Sequence, residues 1–311
     1  MRATLPWWAD DLRAELAHAG RIDMMLHSQQ LVPWLQEGGD AKLRGRRVLV
    51  VGGGQTAAHL ALLAGKAGCS RVVLASRRRL SLKPYDVDLE LVGDRRGEML
   101  AKFWKLTTPR ERLQFIRAAR GGGSMSPEVH AELCENCEVE GSQRGRETEG
   151  SDCGRPGRLL EEVEVEEAHW VGEGEEMERG LEPDAYLSCP RRVSEQAMST
   201  AGEVFVRFDD GRRAFFDYIW LATGGNLDLS LVPILSSLLE QCPIPVADGL
   251  PLLQTDLSWA ADCPFYVMGA FAQLVLGPDA LNLAGARSGG VAVATALRAA
   301  CEPAASSSPD A

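Results

Sequence analysis

One short segment constrains this chain more than any other. Arg46-Arg47-Val48-Leu49-Val50-Val51 runs directly into Gly52-Gly53-Gly54. So short a run of β-branched and apolar side chains suits a strand buried on both faces, as in a parallel sheet. Gln55 to Ala67 follows with Ala and Leu at helical spacing, and Cys69 to Ala75 is a second apolar run. Strand, glycine turn, helix, strand is the βαβ unit of a doubly wound α/β sheet.

Within the turn, Gly52, Gly54 and Ala57 match the pattern GxGxxA. Gly52 permits the tight turn, Gly54 lets the backbone approach a pyrophosphate, and Ala57 lets helix and strand pack closely. Gln55 and Thr56 open a helix whose free N–H groups and positive dipole end favour phosphate. The plain alternative is a glycine turn that binds nothing. The flanking strand and helix weigh against it. The second strand should end near an adenine ribose. A carboxylate there would bond the 2′-hydroxyl of NAD, whereas arginine suits the 2′-phosphate of NADP. The chain offers Ser76-Arg77-Arg78-Arg79 and no acid. Arg77 and Arg78 therefore point to NADPH, with a solvated basic loop as the alternative.

A short helix is expected near Asp10 to Ala19, and residues 1–43 otherwise show no clear periodicity. Met99 to Ala119 reads as helix broken at Pro109, with Thr108 capping the second piece, and Gly121-Gly122-Gly123 ends it. Ser126-Pro127 marks another helix start. Leu160 to Trp170 reads as a strand. Glu203 to Phe208, the turn Asp209-Asp210-Gly211, and Arg213 to Leu221 read as a hairpin. Phe265 to Ala270 is a last strand and Asn282 to Ala300 a last helix. Residues 134–156 are rich in Glu, Gly, Ser and Arg and read as an inserted mobile loop. A second polar stretch covers 172–184, and 301–311 reads as a disordered tail.

Composition removes several function classes. Of 311 residues, 33 are basic and 44 acidic, for a net charge of -11, which argues against nucleic acid as a partner. No run reaches the roughly 18 apolar residues of a membrane span. Eight scattered cysteines suit a reducing compartment, and with no signal-like N-terminus a cytoplasmic chain is the default. Cys134-Glu135-Asn136-Cys137 is a CxxC. It could be a redox dithiol, as in a thiol reductase, half a zinc site with Cys153 and Cys189, or two cysteines in a loop; the second CxxC of a zinc ribbon is missing. His18, His27, His59, His130 and His169 lack metal spacing, and no serine-hydrolase motif occurs. Any chemistry would be carried by a cofactor.

Three ordered segments resemble a known family. Leu26-His27-Ser28-Gln29 precedes the glycine strand; Ile219 to Gly225 contains Ala222-Thr223-Gly224; and Phe265 to Gly269 is followed by Gly277 to Leu283. Together with Arg47 to Ala57, they resemble the two-dinucleotide-binding flavoprotein monooxygenases, in particular the lysine/ornithine N-hydroxylase-like branch. The resemblance covers most of residues 20–300. It implies a Rossmann-like NAD(P)-binding domain at 44–221 and FAD-domain portions at 1–43 and 222–300. It implies FAD beside NADPH, hydride transfer between them, oxygen activation and oxygenation of a small amine, with no side-chain nucleophile. Thr223, Gly224, Asn282 and Leu283 would then lie on the flavin side. The chain departs from the family in lacking a first GxGxxG for FAD. The expectation is therefore either a shortened enzyme or a non-catalytic NADPH-binding or interaction protein that has lost flavin. Either would leave an apolar face at 222–300 for a partner or a second copy to cover.

Overall fold

The structure, a computed structural model, describes residues 2–85, 87–140, 157–172 and 202–301. The chain divides into two compact units. The larger comprises Ala3–Asp86 and Gly123–Gly224, and the smaller comprises Met1–Arg2, Val87–Gly122 and Gly225–Ala311. This division differs from the sequence expectation at two places. Residues 3–43 belong with the glycine-turn sheet, because they supply one of its strands. Residues 87–122 belong with the C-terminal part, because Leu113 packs with Leu250 and Leu274, and Arg112 Nη1 donates to the Leu274 carbonyl at 2.8 Å.

Among the described residues, the larger unit contains nine strands of three residues or more. They are β1 (Met25–His27), β2 (Arg47–Val51), β3 (Arg71–Ser76), β4 (Cys137–Glu140), β5 (Gly157–Glu161), β6 (Val165–Val171), β7 (Glu203–Phe208), β8 (Arg213–Phe216) and β9 (Tyr218–Leu221). Six form a parallel sheet in the order β1-β9-β2-β3-β5-β4. β6, β7 and β8 form an antiparallel meander. Alternate side chains of the parallel strands enter two different cores, which is why those strands read as unbroken apolar runs. Leu49, Val73, Leu160 and Ile219 pack with Leu12 and Leu16 of the Ala9–His18 helix and with Val206, Phe208 and Phe216 of the meander. Val48, Val50, Leu74 and Trp220 pack with Ala57, Ala58 and Ala61 of the Gln55–Lys66 helix and with Leu133 of the Pro127–Asn136 helix.

Two expected strands are each divided. Arg213 to Leu221 breaks at Asp217, whose buried carboxylate accepts from the Arg47 amide at 2.8 Å and from Arg47 Nε at 3.0 Å. Those bonds stop the meander there and start β9 beside β2. Leu160 to Trp170 breaks at Glu162, which takes φ 58, and the Val163 amide then donates to the Ser76 carbonyl. The expected insertion also starts later than Cys134. That residue lies in the Pro127–Asn136 helix, and 137–140 pair with β5 as an edge strand; 141–156 lie outside the described residues. So do the polar stretch at 173–184 and the tail from 302.

The expected caps are present. Thr108 and Glu111 form a reciprocal capping box at the start of Pro109–Arg120, and the Ser126 hydroxyl accepts from the Val129 amide. In the smaller unit the last strand is Cys263–Tyr266, paired antiparallel with Ser258–Ala260, and shorter than expected because Gly269 starts a 3₁₀ turn. The Leu283–Cys301 helix buries only Gly285 and Gly289, leaving Leu283, Val291 and Leu297 exposed.

Candidate functional site

β2 ends at Val51, and the chain turns through Gly52, Gly53 and Gly54 into the Gln55–Lys66 helix. Gly52 takes φ 151, and a Cβ there would lie 2.5 Å from the Ala222 carbonyl oxygen. Its amide donates to the Ala75 carbonyl at 3.0 Å, tying the turn to β3. A Cβ on Gly53 would meet the Ser76 hydroxyl at 2.5 Å. Ala57 is fully buried against the sheet. Each small residue of the motif is thus required by the close approach of another part of the chain.

Gly54 has a neighbour that sequence reasoning did not find. A Cβ on it would stand 3.3 Å from the Gly123 Cα. The Gln55 amide donates to the Ser124 carbonyl at 2.8 Å, and the Gln55 side-chain oxygen accepts from the Ser126 amide at 2.8 Å. The segment after Gly122 therefore lies along the turn. A signal was present in Gly121-Gly122-Gly123. Gly121, at φ 65, alone suffices to end the Pro109–Arg120 helix. The third glycine serves contact with Gly54 instead.

β3 ends at Ser76, one strand over from the turn. Arg77, Arg78 and Arg79 follow and are exposed, and none forms an ion pair among the described residues. The loop itself is anchored. Ser76 Oγ donates to the Arg78 carbonyl at 2.6 Å, and the Leu80 amide donates to Glu161 at 2.8 Å. Three guanidinium groups are thus presented from a fixed backbone beside a glycine turn.

The His-Ser and Ala-Thr-Gly segments meet. His27 is buried, and its Nδ1 accepts from the Gln29 amide, so His27 rather than Ser28 caps the Ser28–Gln36 helix. With Nδ1 accepting, Nε2 carries the proton and donates to the Gly224 carbonyl at 3.0 Å. Burial lowers the imidazole pKa below its ordinary value and keeps the ring neutral, as this arrangement requires. Gly224 O also accepts from the Thr4 amide, and Thr223 Oγ1 donates to the Thr4 carbonyl. Thr223 and Gly224 are thus fixed within the larger unit.

Asn282 and Leu283 lie in the smaller unit. The Asn282 side-chain oxygen accepts from the Ala284 and Gly285 amides, and its Nδ2 donates to Asp279 at 2.9 Å. Asp279 is buried and pairs with Arg96. Asn282 is therefore the cap of the last helix, its side-chain oxygen engaged by two backbone amides, while Leu283 is 89% exposed. Cys134 lies on a helix near His130, whereas Cys137 is buried at the start of β4. Among the described residues no three His, Cys, Asp or Glu side chains are grouped to hold a metal ion, and no helix is long and apolar enough to cross a membrane.

The chain has an α/β fold with a parallel sheet, a glycine turn after β2, an antiparallel meander and a return through Ala222-Thr223-Gly224, and its neighbours in fold are two-dinucleotide-binding flavoproteins. Among solved structures, the chain is similar to the FAD-bound cadaverine monooxygenase of desferrioxamine biosynthesis from Erwinia amylovora, with a TM-score of 0.57 and 14% identity over 94% of this chain and 57% of that one. It is similar to the ornithine N-hydroxylase of Kutzneria sp. 744, in its structure with reduced FAD, NADP+ and L-ornithine, at 0.56 and 16% over 89% and 59%. It is also similar to L-lysine 6-monooxygenase from Pseudomonas syringae, at 0.54 and 18% over 97% and 62%. The chain spans about three fifths of the length of these proteins. At such identities the likeness is one of fold. No family model and no curated protein matches the chain.

Proposed function

We propose that this chain is the NADPH-binding part of a flavoprotein oxidoreductase of the N-hydroxylating monooxygenase type. One observation carries the reading: three exposed arginines, without an ion pair among the described residues, follow β3 beside the Gly52–Gly54 turn that follows β2. Gly52, Gly54, Gln55 and Thr56 would hold the pyrophosphate, by the helix N-terminus and close backbone approach, with Ala57 packing helix against strand; the Gln55 amide itself is engaged by the Ser124 carbonyl. Arg77 and Arg78 would hold the 2′-phosphate through paired, charge-assisted hydrogen bonds. Thr223, Gly224, Asn282 and Leu283 would contribute to flavin binding. Since the Asn282 side-chain oxygen is engaged in its cap, the contribution of that helix start falls to backbone groups. NADPH and FAD, when bound, would supply hydride transfer and oxygen activation, toward a small amine. The side chains bind and orient; none is assigned as a nucleophile or base.

Purified protein titrated with NADPH and NADH tests the reading. NADPH should bind at least about tenfold more tightly, as a 2′-phosphate contact requires. Flavin absorbance and NADPH oxidation in air should accompany it. Failure to bind either nucleotide overturns the proposal.

A second reading rests on the Gly123–Ser126 segment, which occupies the Gln55 amide and packs on Gly54. On this reading the chain is a non-catalytic nucleotide-binding or interaction protein, its turn closed largely by its own backbone. Colourless protein that binds NADPH but does not oxidise it with added FAD favours this alternative.

A further inference from the structure

Within the larger unit a cleft opens between the first turn of the Ala9–His18 helix and the meander, with a volume of about 340 Å³. Trp7 and Trp8, which lead into the helix, supply its aromatic lining. Asp11 of the helix and Glu166, Glu167 and Arg207 of the meander supply most of its polar lining. Successive residues of a regular strand point to opposite faces. β6 shifts register against β7 between Val165 and Glu167, and this irregularity lets Glu166 and Glu167 reach the same arginine. Arg207 Nη1 donates to Glu166 at 2.6 Å and Arg207 Nε to Glu167 at 2.7 Å. One guanidinium is thus divided between two carboxylates. Asp11 is exposed, and its carboxylate has no ion pair or hydrogen bond among the described residues. Three carboxylates face one arginine and one imidazole, that of His169, so the cleft is negative in either state of the ring.

The two tryptophans distinguish this cleft from an ordinary acidic surface. Trp7 is 68% exposed, a large ring left open beside carboxylates. Trp8 is only 3% exposed, yet its indole N–H has no hydrogen bond among the described residues. The N–H groups of Trp34 and Trp220 also lack partners, but they are sealed from solvent; that of Trp8 is not, and Trp8 lines the cleft. An open aromatic face within a negative rim suits an organic cation. A buried indole N–H with no acceptor suits an oxygen brought by a ligand. We propose that this cleft binds a small ammonium compound that carries an oxygen acceptor. Its cationic head lies against Trp7 and the carboxylates, and its oxygen accepts from Trp8 Nε1. The plain alternative is a solvated rim in which Asp11 complements the helix dipole. That accounts for Asp11, but not for the open Trp7 ring or the unpaired Trp8 N–H. No lining residue belongs to the nucleotide or flavin positions, so the assignment stands apart from that reading.

The test titrates the full chain by calorimetry at one ionic strength with three probes. They are choline; dimethylbutanol, its uncharged carbon isostere; and tetramethylammonium, which lacks the oxygen. Choline should bind saturably, about tenfold more tightly than dimethylbutanol and about threefold more tightly than tetramethylammonium. Trp7→Ala and Asp11→Asn should each weaken choline by about threefold. Trp7→Phe keeps an aromatic face and should stay within about twofold of wild type. Both positions are exposed, so the urea midpoints of these variants should match wild type, and lost affinity then reports the cleft rather than the fold. Three results would each overturn the assignment: no saturable heat with choline, equal binding of choline and either other probe, or choline affinity unmoved in both W7A and D11N.

Discussion

The imidazole of His27 donates from Nε2 to the Gly224 carbonyl at 3.0 Å while its Nδ1 caps the helix that follows it. One neutral ring thereby joins the end of β1 to the segment leaving β9, and it does so only in one tautomer. His27→Ala removes both bonds. A lost cap costs about 1 kcal/mol, and a lost hydrogen bond to a buried carbonyl about another 1 kcal/mol. The second figure is restrained because Gly224 O keeps the Thr4 amide. We expect roughly 2 kcal/mol of destabilisation in urea unfolding. A change near zero would mean that the contact does not hold the segment.

The pH dependence follows from His27 and His169, which are shifted in opposite directions. Burial lowers the His27 pKa, so the unfolded chain takes up that proton first. Its contribution is complete above about pH 6.5 and is lost as pH falls through the folded value. Burial also opposes charge on His169, but hydrogen bonds to Glu167 and Glu15 outweigh it and raise the pKa. That contribution is complete below the unfolded value and is lost as pH rises through the folded one. Urea midpoints across pH 5 to 8 should therefore lose their acid-side decline in H27Q and their alkaline-side decline in H169Q. Unchanged slopes in both variants would show that neither ring is linked to folding.

Arg77 and Arg78 carry the cofactor preference. Each exposed guanidinium could make a charge-assisted bond to a 2′-phosphate, worth about 1.5–3 kcal/mol. Replacing both with Ala should weaken NADPH binding by about 100-fold or more and leave NADH within about threefold. Because both side chains are exposed and unpaired among the described residues, the unfolding midpoint should not move. Equal losses for the two nucleotides would place the 2′-phosphate elsewhere.

What was legible in the sequence was mostly local chemistry. The capping box at Thr108 and the Ser126-Pro127 helix start each depend on residues within one turn of themselves, the glycine turn at Gly52 is marked by the strand and helix that flank it, and each is found. What escaped depends on distant partners. Asp217 divides Arg213 to Leu221 only because the Arg47 amide and guanidinium wait beside it. Met25–His27 is too short to show a period, and it is a strand because β9 lies alongside. The alternation Cys137-Glu138-Val139-Glu140 is outweighed in composition by the polar residues after it. Of the site, the arginines and glycines could be read from spacing alone, whereas the contact of Gly123 with Gly54 arises only in the folded sheet.

Gly52 offers the sharpest test of why this turn needs glycine. Two separate terms oppose a side chain there. The backbone takes φ 151, which L-residues rarely adopt, and the space is taken, since a Cβ would lie 2.5 Å from the Ala222 carbonyl oxygen. Gly211, in the meander turn, faces only the first term: its φ is 90, but a Cβ would meet nothing within 4 Å. Gly211→Ala should therefore cost about 1–2 kcal/mol, the conformational part alone. Gly52→Ala adds an overpacking cost of about 1–3 kcal/mol, because the obstacle is backbone rather than a flexible side chain. Roughly 3 kcal/mol or more is expected, read as a lower urea midpoint at unchanged slope. If the two variants lose equal stability, close approach to Ala222 is not what selects glycine at position 52. The motif residue would then be held there by backbone angle, or by the ligand that the turn is proposed to bind, and NADPH affinity of the G52A variant would separate those two causes.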